Sequence, residues 1–67
     1  MNGYIYCTVT AHVQINCSDI QAFADHNNIE VDWNDEEQVD DLARETASSI
    51  YNDGCGCDVH IDSRHLE

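Results

Sequence analysis

Residues Tyr4 to Cys17 alternate strictly between two sets of side chains, and this run constrains the fold more than any other. A period of two is typical of a β-strand with one buried face, because successive side chains point to opposite sides. The run contains neither glycine nor proline, so the sequence favours one continuous strand over a hairpin. The inward set is Ile5, Cys7, Val9, Ala11, Val13, Ile15 and Cys17, and the outward set is Tyr4, Tyr6, Thr8, Thr10, His12, Gln14 and Asn16.

Residues 34–52, "NDEEQVDDLARETASSIYN", have the periodicity of an amphipathic helix. Asn34 or Asp35 can cap its start, and Gly54 follows its end, where a left-handed residue is favoured. Glu37, Asp41 and Glu45 fall four apart on the polar side, about 6 Å from one another. The apolar stripe is predicted to contain Val39, Leu42, Ala43, Thr46 and Ile50.

Three shorter elements complete the predicted fold. Ser18 can cap a helix over "DIQAFADHNN", with Ile20, Phe23 and Ala24 inward and Asn27–Asn28 as the stop. Residues 29–34 alternate and predict a second strand, and residues 55–62 alternate and predict a third, with Cys55, Cys57, Val59 and Ile61 inward.

The predicted order is therefore β-α-β-α-β. We expect an α+β fold: a single two-layer domain with a three-stranded sheet and both helices on one face. The first strand, as the longest, is expected at the centre. Leu66 and Glu67 match the start of a purification-tag junction, so the domain is predicted to span residues 1–65.

The charge of the chain restricts its partners. It has 14 acidic residues, two arginines and no lysine, for a formal net charge of −12. That charge opposes direct binding to nucleic acid or to anionic lipid and favours a basic partner. No apolar run approaches about 18 residues and no signal-peptide pattern begins the chain, so we expect a cytoplasmic protein.

All four cysteines, Cys7, Cys17, Cys55 and Cys57, fall on predicted inward positions. Buried reduced thiols, which behave as small apolar groups, are the leading interpretation. A disulfide from Cys17 to Cys55 or Cys57 is geometrically demanding, and zinc held by Cys55 and Cys57 with Cys17 or a histidine is the remaining alternative. We expect no cofactor and no bound metal.

No catalytic motif is present. His12 and His60 fall on outward strand positions, where an isolated histidine is usually only a surface residue. The segment "DWNDEE" lacks the glycine and glutamate that a calcium-binding loop requires at its sixth and twelfth positions. The protein is therefore predicted not to be an enzyme.

The acids supply the candidate binding surface. Glu30 and Asp32 share a face of the predicted second strand, and Asp58 and Asp62 share the outward face of the third. Carboxylates in rows can occupy the Lys and Arg sites that a DNA-binding protein keeps for phosphates. The predicted partner-binding residues are Glu30, Asp32, Glu36, Glu37, Asp40, Asp41, Glu45, Asp58 and Asp62.

In length, charge and element pattern the chain resembles the small acidic anti-CRISPR proteins that phages encode as DNA mimics, in particular inhibitors of type I-C systems. The resemblance covers the whole chain but rests on no motif. It implies a non-catalytic inhibitor, acting in the host cytoplasm, that occludes the PAM-reading site of a CRISPR surveillance complex. We expect a monomer, with Tyr4 and Tyr6 adding an aromatic contact.

Three other interpretations remain open. An immunity or antitoxin protein that caps a basic nuclease toxin would have the same electrostatics. A protein from a salt-loving organism would carry acids for hydration alone. A small metal-binding module would use the cysteines.

Overall fold

The computed structural model describes residues 2–9, 11–51 and 59–67. Its elements are β1 (Gly3–Thr8), β2 (His12–Asn16), α1 (Cys17–His26), α2 (Glu36–Tyr51) and β3 (His60–Leu66). The strands form one antiparallel sheet in the order β2-β1-β3, and both helices pack on one of its faces. The predicted α+β class, the three-stranded sheet and the central first strand are confirmed, but the chain order is β-β-α-α-β.

The alternating N-terminal run is a hairpin, so the prediction of one continuous strand was wrong. The chain reverses between Thr8 and His12, which are paired across β1 and β2. Paired residues are separated by an even number of positions, as in Cys7 with Val13, so the alternation in sequence continues unbroken through the turn. No glycine was needed to reverse the chain.

Residues 29–34 do not form the predicted strand. Their alternation reflects one-sided burial, since Ile29, Val31 and Trp33 pack against the core. Their backbone is held by a side chain instead of a neighbouring strand. The Gln38 amide donates to the carbonyl of Glu30 (2.8 Å) and accepts from the N–H of Asp32 (2.7 Å).

Both helix starts are set by side chains that accept backbone hydrogen bonds. Asp35 caps α2, accepting from the N–H of Gln38 at 3.3 Å, as predicted. The α1 helix begins earlier than predicted, with Asn16 rather than Ser18 at its cap, and Asp19 accepts from the Asn16 N–H at 3.3 Å. The helix stops where predicted, because Asn28 adopts a left-handed φ of 57°.

The third strand, His60–Leu66, runs further towards the C-terminus than predicted. Residues 52–58, including Gly54, Cys55, Cys57 and Asp58, lie outside the described ranges. A register shift between Tyr6 and Cys7 leaves Asp62 as an extra residue in β3, which breaks the sequence alternation there. Leu66 pairs with Gly3 and packs against the core, so it belongs to the strand.

The core lies between the sheet and the two helices. The α2 stripe is as predicted except at its end, where Ala47 is buried and Ile50 is 50% exposed. Small residues at Ala24, Ala43 and Ala47 occupy the helix side of the core. The full buried cluster is Ile5, Cys7, Ile15, Ile20, Ala24, Val39, Leu42, Ala43, Ala47 and Val59. Each fully buried isoleucine is worth about 1.5–3 kcal/mol relative to exposure.

Candidate interaction surfaces

The polar side of α2 presents the largest group of predicted site residues. Glu36, Glu37, Asp41 and Glu45 are all exposed there. Asp41 accepts a hydrogen bond from the Arg44 guanidinium at 2.8 Å, while remaining 73% exposed. Glu37, Asp40, Asp41 and Arg44 line a polar groove of about 300 Å³. The helix therefore offers a solvent-facing row of carboxylates, as the sequence predicted.

Asp40 has a different environment. Its carboxylate receives two hydrogen bonds from Arg64 of β3, through Nε at 2.7 Å and through Nη2. The Asp40 side chain is only 13% exposed and Arg64 is 37% exposed. Hydrogen bonding to Asp40 raises the pKa of Arg64 above its ordinary value. This bidentate pair joins α2 to β3, so Asp40 has a structural role in addition to any contact with a partner.

Glu30 and Asp32 lie in the segment before α2 rather than on a strand. Both are exposed. The Asp32 carboxylate accepts from the N–H of Asn34 at 3.0 Å, which stabilises the local turn. The segment is anchored to α2 through Gln38, so these two acids border the α2 row.

Asp62 lies on the opposite side of the molecule, on the open face of the sheet that the helices leave uncovered. Its carboxylate accepts from the Thr8 hydroxyl at 2.6 Å and lies 3.0 Å from Nδ1 of His12. Nε2 of His60 is 3.8 Å from its second oxygen. The Thr8 hydrogen bond, with a smaller contribution from the histidines, lowers the pKa of Asp62.

An aromatic cluster occupies the other end of the open face. The Tyr4 and His65 rings stack with centroids 4.8 Å apart. Tyr6 meets Tyr4 edge-on at 5.1 Å and His65 at 5.5 Å. The two cross-strand pairs with His65 are of the kind that stabilises an antiparallel sheet by up to about 1 kcal/mol each. The three rings give this end of the open face a contiguous aromatic surface.

The predicted site residues therefore divide between two faces. Glu36, Glu37, Asp41 and Glu45 share the α2 row, with Glu30 and Asp32 beside it. Asp62 faces the other way, and Asp58 lies outside the described residues. The predicted single negative surface therefore does not include Asp62. Its remaining described members lie on α2 and on the segment before it.

The open-face clusters were missed as clusters by sequence reasoning. The signal was present, since Tyr4, Tyr6, Thr8, His12 and His60 all fall on outward strand positions. The missing information was the hairpin, which places His12 beside Thr8, and the bulge, which turns Asp62 towards both.

The chemistry available at Asp62 is limited. An Asp–His pair can in principle support proton transfer. However, the His12 side chain is 78% exposed, so water reaches the pair freely.

Two buried thiols and an apolar groove lie away from both surfaces. Cys7 and Cys17 are buried thiols, and burial raises the pKa of both, that of Cys7 to about 11. In the part of the chain that the structure covers, no three His, Cys, Asp or Glu side chains form a metal-binding group. An apolar groove of about 370 Å³ lies between the helices, lined by Ala22, Phe23, Thr46, Ser49 and Ile50, with Asp19 and His26 at its rim.

Over residues 2–9, 11–51 and 59–67, neither helix has the length and apolar character needed to cross a membrane. Comparisons with protein-family models, with curated proteins and with solved structures found no significant match.

Proposed function

We propose that the protein is a non-catalytic inhibitor that mimics the charge of DNA and blocks the DNA-binding site of a basic host protein. One observation carries the proposal. The chain has only two Lys or Arg side chains, and both are held in internal ion pairs, Arg44 with Asp41 and Arg64 with Asp40. The remaining carboxylates of α2 stand in solvent without a partner cation from Lys or Arg.

Charge density is the quantitative test of mimicry. The α2 helix has 16 residues, so it is about 24 Å long. After the two ion pairs are subtracted, Glu36, Glu37 and Glu45 leave one charge per about 8 Å. Duplex DNA carries one per about 1.7 Å, so the helix alone is several-fold too dilute.

The whole domain comes much closer to the charge density of DNA. The described residues contain twelve of the fourteen acids and both arginines, a net of ten negative charges. Over the longest dimension of 27 Å this is one charge per about 2.7 Å. These charges are not all on one side, since α2 and the 27–35 connection hold eight carboxylates, of which two are paired with arginine. The six that remain give one charge per about 4.5 Å over the same length, so mimicry would depend on α2 and the connection together, with the α2 row as the contact line.

The resemblance to phage anti-CRISPR proteins supports a particular target. It favours the PAM-recognising subunit of a CRISPR surveillance complex, with type I-C the first system to test, and a site of action in the host cytoplasm. One Cas9-type effector reads its PAM with two arginines in the major groove. An exposed carboxylate row is chemically suited to occupy such arginines in place of the DNA.

The test is competition with DNA. Binding of a PAM-containing duplex to the purified subunit is measured against increasing inhibitor, for the wild type and for Glu37→Lys/Glu45→Lys. We expect the variant to lose at least about tenfold in inhibitory potency. Asp25→Lys/Glu67→Lys is the matched control, because it changes the net charge equally at exposed positions away from the row, and it should lose less than about threefold.

Two results would overturn the proposal. Equal losses in the two variants would show that only net charge matters, without a defined surface. Binding to the subunit that leaves its DNA occupancy unchanged would exclude mimicry. Inhibition should also weaken as salt rises from about 50 to about 500 mM, because exposed charges more than a Debye length apart are screened.

A further inference from the structure

The open face of the sheet differs in composition from the rest of the surface. It is formed by the outward residues of the three strands: Tyr4, Tyr6, Thr8, His12, Gln14, Asn16, His60, Asp62, Ser63 and His65. Within the described strands Asp62 is its only carboxylate, although 24% of the whole chain is charged. Loss of charge together with enrichment in aromatic residues is the composition that marks the core of a protein interface.

The acids are segregated to the other side. Among the described residues, helices α1 and α2 and the 27–35 connection hold ten carboxylates, against one on the open face, with Glu67 just beyond the end of β3. Two copies that met through their helices would therefore repel strongly. Two copies that met through their open faces would keep their acidic layers outermost and far apart.

We propose that the open face is a self-association surface, where two copies form a weak symmetric dimer by face-to-face packing of their sheets. The inference does not depend on the proposed inhibitor function. Stacked sheets pack about 10 Å apart, a distance that aromatic side chains fill. A two-fold axis running across the strands would place the rings of Tyr4, Tyr6 and His65 near the Asp62 end of the partner. It would also keep the two Asp62 carboxylates apart.

The area of the face determines the strength of the dimer. Three strands about 4.8 Å apart and six residues of about 3.4 Å each give a footprint of roughly 300 Å² per copy. A stable interface buries about 800 Å² per partner, so the dimer must be weak and rapidly exchanging. The net charge of each copy weakens it further, and salt relieves that repulsion.

Salt dependence is therefore the distinguishing signature. Sedimentation equilibrium of the full chain, from about 20 μM to about 1 mM, is compared at about 50 and about 500 mM salt. We expect a reversible monomer–dimer equilibrium whose association constant rises with salt. Binding to a basic partner responds in the opposite direction, so failure of this inference is distinguishable from failure of the proposed function.

Two single substitutions locate the surface. Gln14→Glu adds a carboxylate at an exposed position of the open face and should reduce the association constant about fivefold. Ser49→Glu adds the same charge at an exposed position of α2, and at about 500 mM salt it should leave the constant within about twofold. Concentration-dependent amide shifts in the unmodified protein should centre on Tyr4, Tyr6 and His65, which tests the face without any substitution.

A monomer mass throughout at about 1 mM and about 500 mM salt would overturn the inference. So would a dimer that Ser49→Glu weakens and Gln14→Glu does not, since the contact would then involve the helices. A monomer whose Tyr6→Ser variant is folded but has lost binding to the basic subunit would also overturn it, and would assign the face to that partner.

Discussion

The Asp40–Arg64 pair allows a quantitative prediction about a residue that the sequence placed in the binding surface. The pair is bidentate and joins α2 to the edge strand β3. An exposed ion pair contributes about 0–1 kcal/mol, whereas removing one partner of a buried pair costs about 3–5 kcal/mol. Asp40 is 13% and Arg64 37% exposed, so the pair lies between these limits, with Arg64 able to regain part of its hydration.

We therefore expect a coupling energy of about 1–2 kcal/mol from the double-mutant cycle of Asp40→Asn and Arg64→Met. In a domain of this size, 1 kcal/mol corresponds to about 4–8 °C in Tm. Urea and thermal unfolding can be followed by the fluorescence of Trp33, the only tryptophan, which packs against the core. Asp40→Asn alone should lower Tm. Its potency in the inhibitor competition is therefore measured at a temperature where the variant is still folded.

The matched control is the other arginine pair of the chain. Asp41 and Arg44 are three residues apart on α2 and are 73% and 45% exposed. Their cycle should give about 0.3–0.5 kcal/mol. A coupling for Asp40–Arg64 that is no larger than that of Asp41–Arg44 would refute the structural role of Asp40 and return it to the list of contact residues.

Three further predictions concern single side chains. The Cys7 thiol is fully buried, and burial raises its pKa to about 11. It should therefore react with a thiol reagent at pH 8 only when the domain unfolds. Rapid labelling of Cys7 in native protein, located by peptide mass mapping, would contradict this prediction. Asn28 has a left-handed φ, so Asn28→Ala should lower the free energy of unfolding by about 1 kcal/mol in a urea titration, whereas Asn28→Gly should not. Equal effects of the two substitutions would show that the left-handed conformation at the helix end is unimportant. The pKa of Asp62 is lowered in the folded state, mainly by Thr8, so its contribution to stability is present above the unfolded pKa and is lost as pH falls through the folded one. Thr8→Val should raise that pKa in an NMR titration of the carboxyl group and reduce the acid dependence of stability, and an unchanged titration would exclude the hydrogen bond as the cause.

The local elements followed from the sequence because their signals are short-range. A period near 3.6 placed α2, and Asp35 capped it, since a cap depends on residues only three positions away. The stop at Asn28 followed for the same reason. The exposed row of Glu37, Asp41 and Glu45 was also predictable, because residues four apart share a helix face.

The tertiary structure decided what alternation alone leaves open. A period of two reports one-sided burial and does not report the backbone partner, so it described equally a hairpin through residues 3–16 and an unpaired segment at residues 29–34. The hairpin and the strand order then brought His12 to Asp62, and the bulge at Asp62 shifted the register of β3.

The charged residues also separate what the sequence determines from what the fold determines. The sequence alone determined that this is a strongly acidic chain with an acidic amphipathic helix, because net charge and helical periodicity are properties of composition and spacing. Only the fold determined which acids are available. It placed Arg64 against Asp40, 24 residues away in the chain, and turned Asp62 to the opposite face. Pairings between residues distant in sequence depend on strand order and helix packing, which no local pattern encodes.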